Sequence, residues 1–388
     1  MATVIDQSSG TNKLGPPAPS PALAKPFTAT VDLNRPLLVS RAVSGTSARW
    51  LAVMALLALA SLGGFLICLQ FGAQRIGLVD AGTLLLRRLL EGRAGVASYG
   101  AAATILLDVR LPRLAVGFLV GGTLAAVGVG LQALLRNPLA DPYVLGISSG
   151  AALGAAVAML LGVGTAIGGL SALSFAAFLG GLLAIFLVYR IAIESGHLPM
   201  PTLLLAGVII TAICSALVMF ITSVLDPARA YTMISWLMGT LSAPDGPAMA
   251  LLVCVTVGGG LALFHQARAL NVLTLGEETA RSLGVEVERV KRAMFILSAL
   301  MTGAVVSVSG LIGFVGMVVP HAVRMVLGAD HRIVMPAAAL VGGLFLMAAD
   351  TVARTVLAPA EVPVGVVTAL VGGPFFVYLL VARRGGVR

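Results

Sequence analysis

From Trp50 onward the chain is a succession of long apolar runs separated by short polar breaks. A helix needs about 20 apolar residues to cross the hydrocarbon of a bilayer. Runs of that order fall near residues 50–71, 112–135, 143–163, 169–191 and 202–225. Five more follow near 248–266, 293–312, 314–328, 334–357 and 364–381. The seventh and eighth share one continuous apolar stretch, so nine or eleven helices also fit; ten is the most economical reading. Residues 1–48 differ: Pro, Ser, Thr and Ala dominate, as in GPPAPSPALAKP, and no apolar period is sustained. Such a segment has too little to bury to order itself. With no apolar run before residue 50, it does not read as a signal peptide. The expectation is a disordered Pro-rich cytoplasmic tail over 1–48 and a transmembrane domain over 49–388.

Composition narrows the class. Of 388 residues 59% are apolar and only 11% charged, with a mean hydropathy of +1.03. Soluble domains carry about 25% charged residues, so a cytosolic enzyme is excluded. The 46 glycines suit helices whose backbones approach closely. An outer-membrane barrel would need short alternating segments and aromatic girdles instead. The fold class is therefore an all-α polytopic membrane protein with about ten transmembrane helices.

The net charge of +9 is spread over the loops, where the excess of Lys and Arg on the cytoplasmic side accounts for it without nucleic acid. With the N-terminus inside and ten spans, 17 of the 25 basic residues lie inside and 8 outside. Both termini are then cytoplasmic. The exception is the first outer loop, residues 72–113, with Arg75, Arg87, Arg88, Arg93, Arg110 and Arg113. Arginine on that side calls for an acidic partner. An offset of 182 residues lays Gly121–Gly146 over Gly303–Gly328 with seven coincidences in 26, among them Pro138/Pro320 and Gly146/Gly328. The two segments would enter the membrane from opposite sides, the pattern of an inverted internal repeat.

Candidate chemistry is sparse. No Gly-Lys dipeptide occurs, so there is no Walker A phosphate loop. The four histidines show no metal-binding spacing, and Cys68, Cys214 and Cys254 each sit inside an apolar run as small hydrophobes. Ion-coupled carriers keep buried carboxylates along their path; here Asp350 stands out, with Arg354 at i+4 as its expected structural partner. A transporter with neither an ATP site nor intramembrane acids must borrow its power. The polar loop at 267–292, with Leu275, Thr279, Leu283 and Val287 about four apart on a charged background, is where a soluble partner would dock. Gly276 and Gly284 divide it into two short helices. The stretch QALLRNPLADPYVLGISSGAALGA brackets a tight turn between Pro138 and Pro142, with Asn137 placed to bond loose backbone amides, and continues into a small-residue packing stripe.

Five segments in order resemble the FecCD permease family over about residues 50–384: RLPRLAVGFLVGG, LQALLRNPLADPYVLGISSGAALGA, LGEETARSLGV, GLIGFVGMVVPHAVRMVLGADHR and ADTVARTVLAPAEVPVGVVTALVGGPFF. These are membrane subunits of type II ABC importers for cobalamin, haem and ferric siderophores. The resemblance implies ten spans in the inner membrane of a bacterium, a homodimer or a similar second permease subunit, two cytoplasmic ATPase subunits and a periplasmic binding protein. No cofactor is expected on this chain and no bond is cleaved by it; magnesium-ATP is used by the partner ATPase. By match to the family, Arg110, Arg113 and Arg354 would meet acidic groups of the binding protein. Asn137 and Leu139 match the cytoplasmic gate loop. Pro199, Met200 and Pro201 fall at a second gate, where the cobalamin importer has small hydroxyl residues. Leu275, Gly276, Glu277, Arg281, Leu283 and Gly284 match the ATPase coupling helices. The cargo expected is an iron chelate, either ferric siderophore or haem, carried by alternating access; a cobalamin importer permease and, from another class, an ion-coupled carrier or channel are the alternatives.

Overall fold

The computed structural model describes residues 39–72, 76–91, 100–163 and 171–385. The chain divides between Ser47 and Ala48, and most of the tail expected over 1–48 lies outside the described residues. Arg75 and Arg93 lie outside them too.

Every apolar run forms a helix. Seven are long and apolar enough to cross a membrane: α1 (Ala48–Gln70), α3 (Gly100–Leu134), α5 (Ala172–Ala192), α6 (Met200–Val224), α8 (Gly246–His265), α11 (Val287–Ser309) and α13 (His331–Thr355). Three shorter apolar helices complete the set: α4 (Ile147–Leu160), α12 (Val315–Leu327) and α14 (Val364–Tyr378). The continuous apolar stretch that hydropathy could not divide breaks at Gly310 and Phe314, both at positive φ (65° and 70°). Four polar or amphipathic helices fill the connections: α2 (Leu78–Glu91), α7 (Pro227–Leu237), α9 (Ala267–Leu273) and α10 (Glu277–Ser282). No β-strand occurs among the described residues.

One expectation is corrected. The first outer loop is not a loop: α2 occupies part of it, burying Ala81 and Leu84, and α3 begins at Gly100 rather than near 112. Hydropathy misses this because Asp108, Arg110 and Arg113 lower the average of a segment whose other residues remain helical; Thr104–Arg110 winds as a π-helix within α3. At the offset of 182, residues 111–127 of α3 lie over 293–309 of α11, helix on helix, while the irregular segment 135–146 lies over α12.

Helix α3 is the axis of the bundle. Every residue from Val120 to Leu134 is buried, and α13, α11, α12 and α8 pack around it. A helix apolar on all sides belongs in such a place. Close approach depends on residues without side chains. A Cβ on Gly121 would strike the Gly342 carbonyl of α13, and one on Gly128 the Gly316 carbonyl of α12. In the α4–α5 pair Gly150 and Gly180 each face the other's carbonyl. This is the stripe read from SSGAALGA, working as packing.

Polar stitches close the irregular segments. The Gln132 amide nitrogen donates to the carbonyls of Gly316 (3.3 Å) and Met317 (3.2 Å), and its oxygen accepts from Arg324. Tyr143 Oη donates to the Ile312 carbonyl and accepts from the Ile312 amide, both at 2.7 Å. That ties the 142–145 turn to the break before α12. Asp141 caps the turn, accepting from the Tyr143 amide at 2.9 Å.

Two measurements check this account by thermal melting of the purified protein. Gly128→Ala should lose about 1–3 kcal/mol through overpacking, against the helix preference of alanine. Gly258→Ala, where a Cβ meets nothing within 4 Å, should be neutral or gain up to about 1 kcal/mol. Equal effects would contradict the close contact. Desolvation pushes the Asp141 carboxyl up to about 6. A raised carboxyl contributes most to stability below its unfolded value and loses that contribution as pH rises through the folded one. Between pH 4 and 7 the melting temperature of wild type should therefore fall relative to Asp141→Asn; a constant gap would exclude the desolvated carboxyl.

Candidate functional site

The charged segment at 267–292 folds as expected into two short helices, α9 and α10, with Gly276 (φ +126°) between them and Gly284 (φ +82°) after them. Both backbone conformations are ones that favour glycine. Leu275 is 67% exposed and Leu283 62%, while Ala280 between them is buried. The apolar stripe therefore presents two leucines outward and ends at Val287, which turns into the core.

Charges beneath those leucines bolt the segment down. Lys291 on α11 is buried, and its Nζ donates to Glu277 Oε2 of α10 at 2.7 Å and to Glu288 Oε1 at 3.1 Å. Arg281 approaches the same two carboxylates at 3.5 and 3.6 Å. Glu277 and Arg281, expected to steer a partner, are thus first engaged within the chain. Glu288 reaches one step further: its Oε2 accepts from the Leu198 backbone amide at 3.0 Å, immediately before Pro199, Met200 and Pro201. A second clamp holds α9. Asn271 donates to Asp330 Oδ1 at 2.7 Å and accepts from the His331 amide at 2.9 Å. The Arg332 guanidinium beside Asp330 holds that carboxyl well below the usual carboxylate range.

Of the two stretches expected to be gates, Asn137–Leu139 follows α3 and Pro199–Pro201 opens α6. Asn137 Oδ1 accepts from the Leu139 amide at 2.9 Å, the Asx bond expected of the turn, and Leu139 is exposed. Gly146 enters α4 at φ +81°, where a Cβ would lie 3.4 Å from the Gly207 carbonyl of α6. Pro199 stands at the N-cap of α6, Met200 is half-buried and Pro201 exposed. The turn that leads into α4 thus packs against α6 around Gly207, and Leu198, just before α6, is tied to Glu288.

At the opposite end the arginines face inward. Asp350 is fully buried and bound by Arg113 (2.9 Å) and Arg354 (2.9 Å). Arg113 also pairs with Glu361, whose side chain is 55% exposed, at 2.9 Å. Arg110 is 3% exposed, and its guanidinium donates to the carbonyls of Leu69 and Gln70 at the end of α1. Arg110, Arg113 and Arg354 are thus engaged inside the chain, by Asp350 and a helix C-terminus. The Asp350–Arg354 pair was legible from its i+4 spacing; Arg113, 237 residues away, was not. Glu288 and Lys291 were visible only as charges, since nothing in sequence joins Lys291 to Glu277 or Glu288 to Leu198. Cys254 lies exposed on α8 rather than buried. Among the described residues no cluster of metal-ligating side chains forms.

Comparison with known proteins agrees with this geometry. The model of the FecCD transport family matches residues 49–382. A cobalamin import system permease, BtuC of Halobacterium salinarum, is 46% identical over 73% of this chain and 75% of its own length. The hemin transport system permease HmuU of Yersinia pestis is 43% identical over 72% of this chain and 84% of its own. Among solved structures, the inward-facing conformation of a metal-chelate type ABC transporter superposes with a TM-score of 0.72 and 28% identity, over 85% of this chain and 99% of that one. The chain is a multi-pass membrane protein and belongs to the FecCD transport family.

Proposed function

We propose that this chain is the permease subunit of an ATP-driven importer in a bacterial inner membrane, moving an iron chelate by alternating access. A second copy completes the pathway, two ATPase subunits supply the work from the cytoplasm and a binding protein delivers the cargo outside. The observation that carries the reading is the pair of exposed leucines, Leu275 and Leu283, on a segment otherwise fastened by buried charge. Exposed apolar side chains held rigidly at a polar end of the bundle suit burial by a partner. Work entering at α10 then passes through Glu277, Lys291 and Glu288 to the start of α6, so that Pro199–Pro201 and the Asn137–Leu139 loop move with it. Of Arg110, Arg113 and Arg354, Arg113 has a pairing that reaches the surface, through Glu361, and is the point we assign to an arriving acidic partner.

Cargo identity rests on relatives. The haem-named relative supports an iron chelate, and the cobalamin-named one supports the second reading, a corrin. Uptake of haem against cobalamin by the assembled complex in proteoliposomes decides between them.

The coupling assignment is checked by Leu283→Asp. A carboxylate buried unpaired at the contact costs several kcal/mol, so the variant should insert and melt as wild type yet fail to co-purify with its ATPase. Retained ATPase binding with full transport would overturn the reading.

A further inference from the structure

Helix α8 is mostly exposed, and two cavities open along the groove where it meets α13, the second of them floored by α3. One, of about 380 Å³, lies at the membrane boundary where α8 ends and α13 begins, lined by Leu261, Phe264, His265, Arg268 and Arg332. No carboxylate lines it. Asp330 neutralises Arg332 from outside the cavity through a 2.7 Å pair, which leaves Arg268 as its net positive charge. Leu261 and Phe264 are exposed on the same helix. The second cavity, of about 140 Å³, is apolar and lies deeper, with Val257 and Gly260 on α8 and Ala339 and Leu340 on α13 among its walls. At 1.5 Å per residue, Gly260 is about 8 Å from His265 along α8, and Ala339 is about 10 Å from Arg332 along α13.

A basic pocket at the boundary with an apolar slot about 10 Å deeper, in one groove, has the proportions of a single amphiphile. We propose that this groove binds one anionic phospholipid of the leaflet on the α9–α10 side. The phosphate sits against Arg268 and Arg332, and part of an acyl chain lies in the slot beside Gly260. Charge complementarity excludes a zwitterionic lipid as the preferred occupant, and the apolar slot distinguishes a lipid from a free anion. Since Arg268 lies on α9, next to the clamp of Asn271 on Asp330 and His331, the lipid would touch the segment assigned above to the ATPase. Its binding itself does not depend on that assignment.

The test is native mass spectrometry of the full purified chain titrated with dioleoyl phosphatidylglycerol, with dioleoyl phosphatidylcholine and with inorganic phosphate. Wild type should retain one phosphatidylglycerol in preference to phosphatidylcholine. Arg268→Gln, which changes one exposed side chain, should weaken that binding about fivefold, the worth of one basic residue at an anionic surface. Gly260→Leu keeps every charge, and its Cβ meets nothing within 4 Å; by filling the slot it should weaken phosphatidylglycerol binding without affecting phosphate. Equal retention of the two lipids, undiminished binding by both variants, or displacement of the lipid by millimolar phosphate would each overturn the proposal.

Discussion

The ammonium of Lys291 is the interaction on which the polar end of the molecule depends. It is buried, and it is shared between a carboxylate of its own helix and one of α10. An isolated charge in that position would be very costly, and removing one partner of such a group typically costs about 3–5 kcal/mol. The arrangement therefore holds α10, α11 and the approach to α6 in one geometry. A segment fastened in this way transmits displacement rather than absorbing it. The same logic governs the other end, where buried Asp350 is bracketed by Arg113 and Arg354. Charge in this protein is concentrated where helices must not slide past each other.

Between the two ends the bundle relies on closeness instead of polarity. In a membrane the apolar effect does not drive helix against helix, so contact must come from packing. Gly121 against Gly342, Gly128 against Gly316 and Gly150 against Gly180 bring backbones together where any side chain would hold them apart. Helix α8 lacks comparable contacts at Gly258 and Gly260, and it is there that the cavities lie. Tight and loose seams are thus both written in the placement of glycine.

Much of the fold was legible because hydropathy reports length and burial in lipid directly. All ten runs are helices, and Gly276 and Gly284 mark the bends they were expected to mark. Elements with mixed composition were missed. Helix α2 hides its buried Ala81 and Leu84 among charges, α7 falls between two apolar runs, and Arg110 and Arg113 disguised the first turns of α3. At the candidate site, local pairs such as Asp350–Arg354 and the Asn137 turn could be read from spacing. The contacts that join the site into one unit could not, since Lys291–Glu277, Glu288–Leu198 and Arg113–Asp350 depend on how helices meet.

The proposed route from α10 to α6 passes through a single bond, from the Leu198 amide to Glu288. Its most direct test is the number of cargo molecules moved per ATP hydrolysed by the assembled complex in proteoliposomes, compared between wild type and Glu288→Ala, with Glu288→Gln as the variant that keeps an acceptor for the amide. A hydrogen bond to a charged group is worth about 1.5–3 kcal/mol. Lys291 keeps Glu277 of α10 in Glu288→Ala, so the variant should keep its ATPase partner and its hydrolysis while transport per ATP falls about tenfold or more, with partial recovery in Glu288→Gln. Unchanged transport per ATP in Glu288→Ala would show that the work reaches the gate by another path.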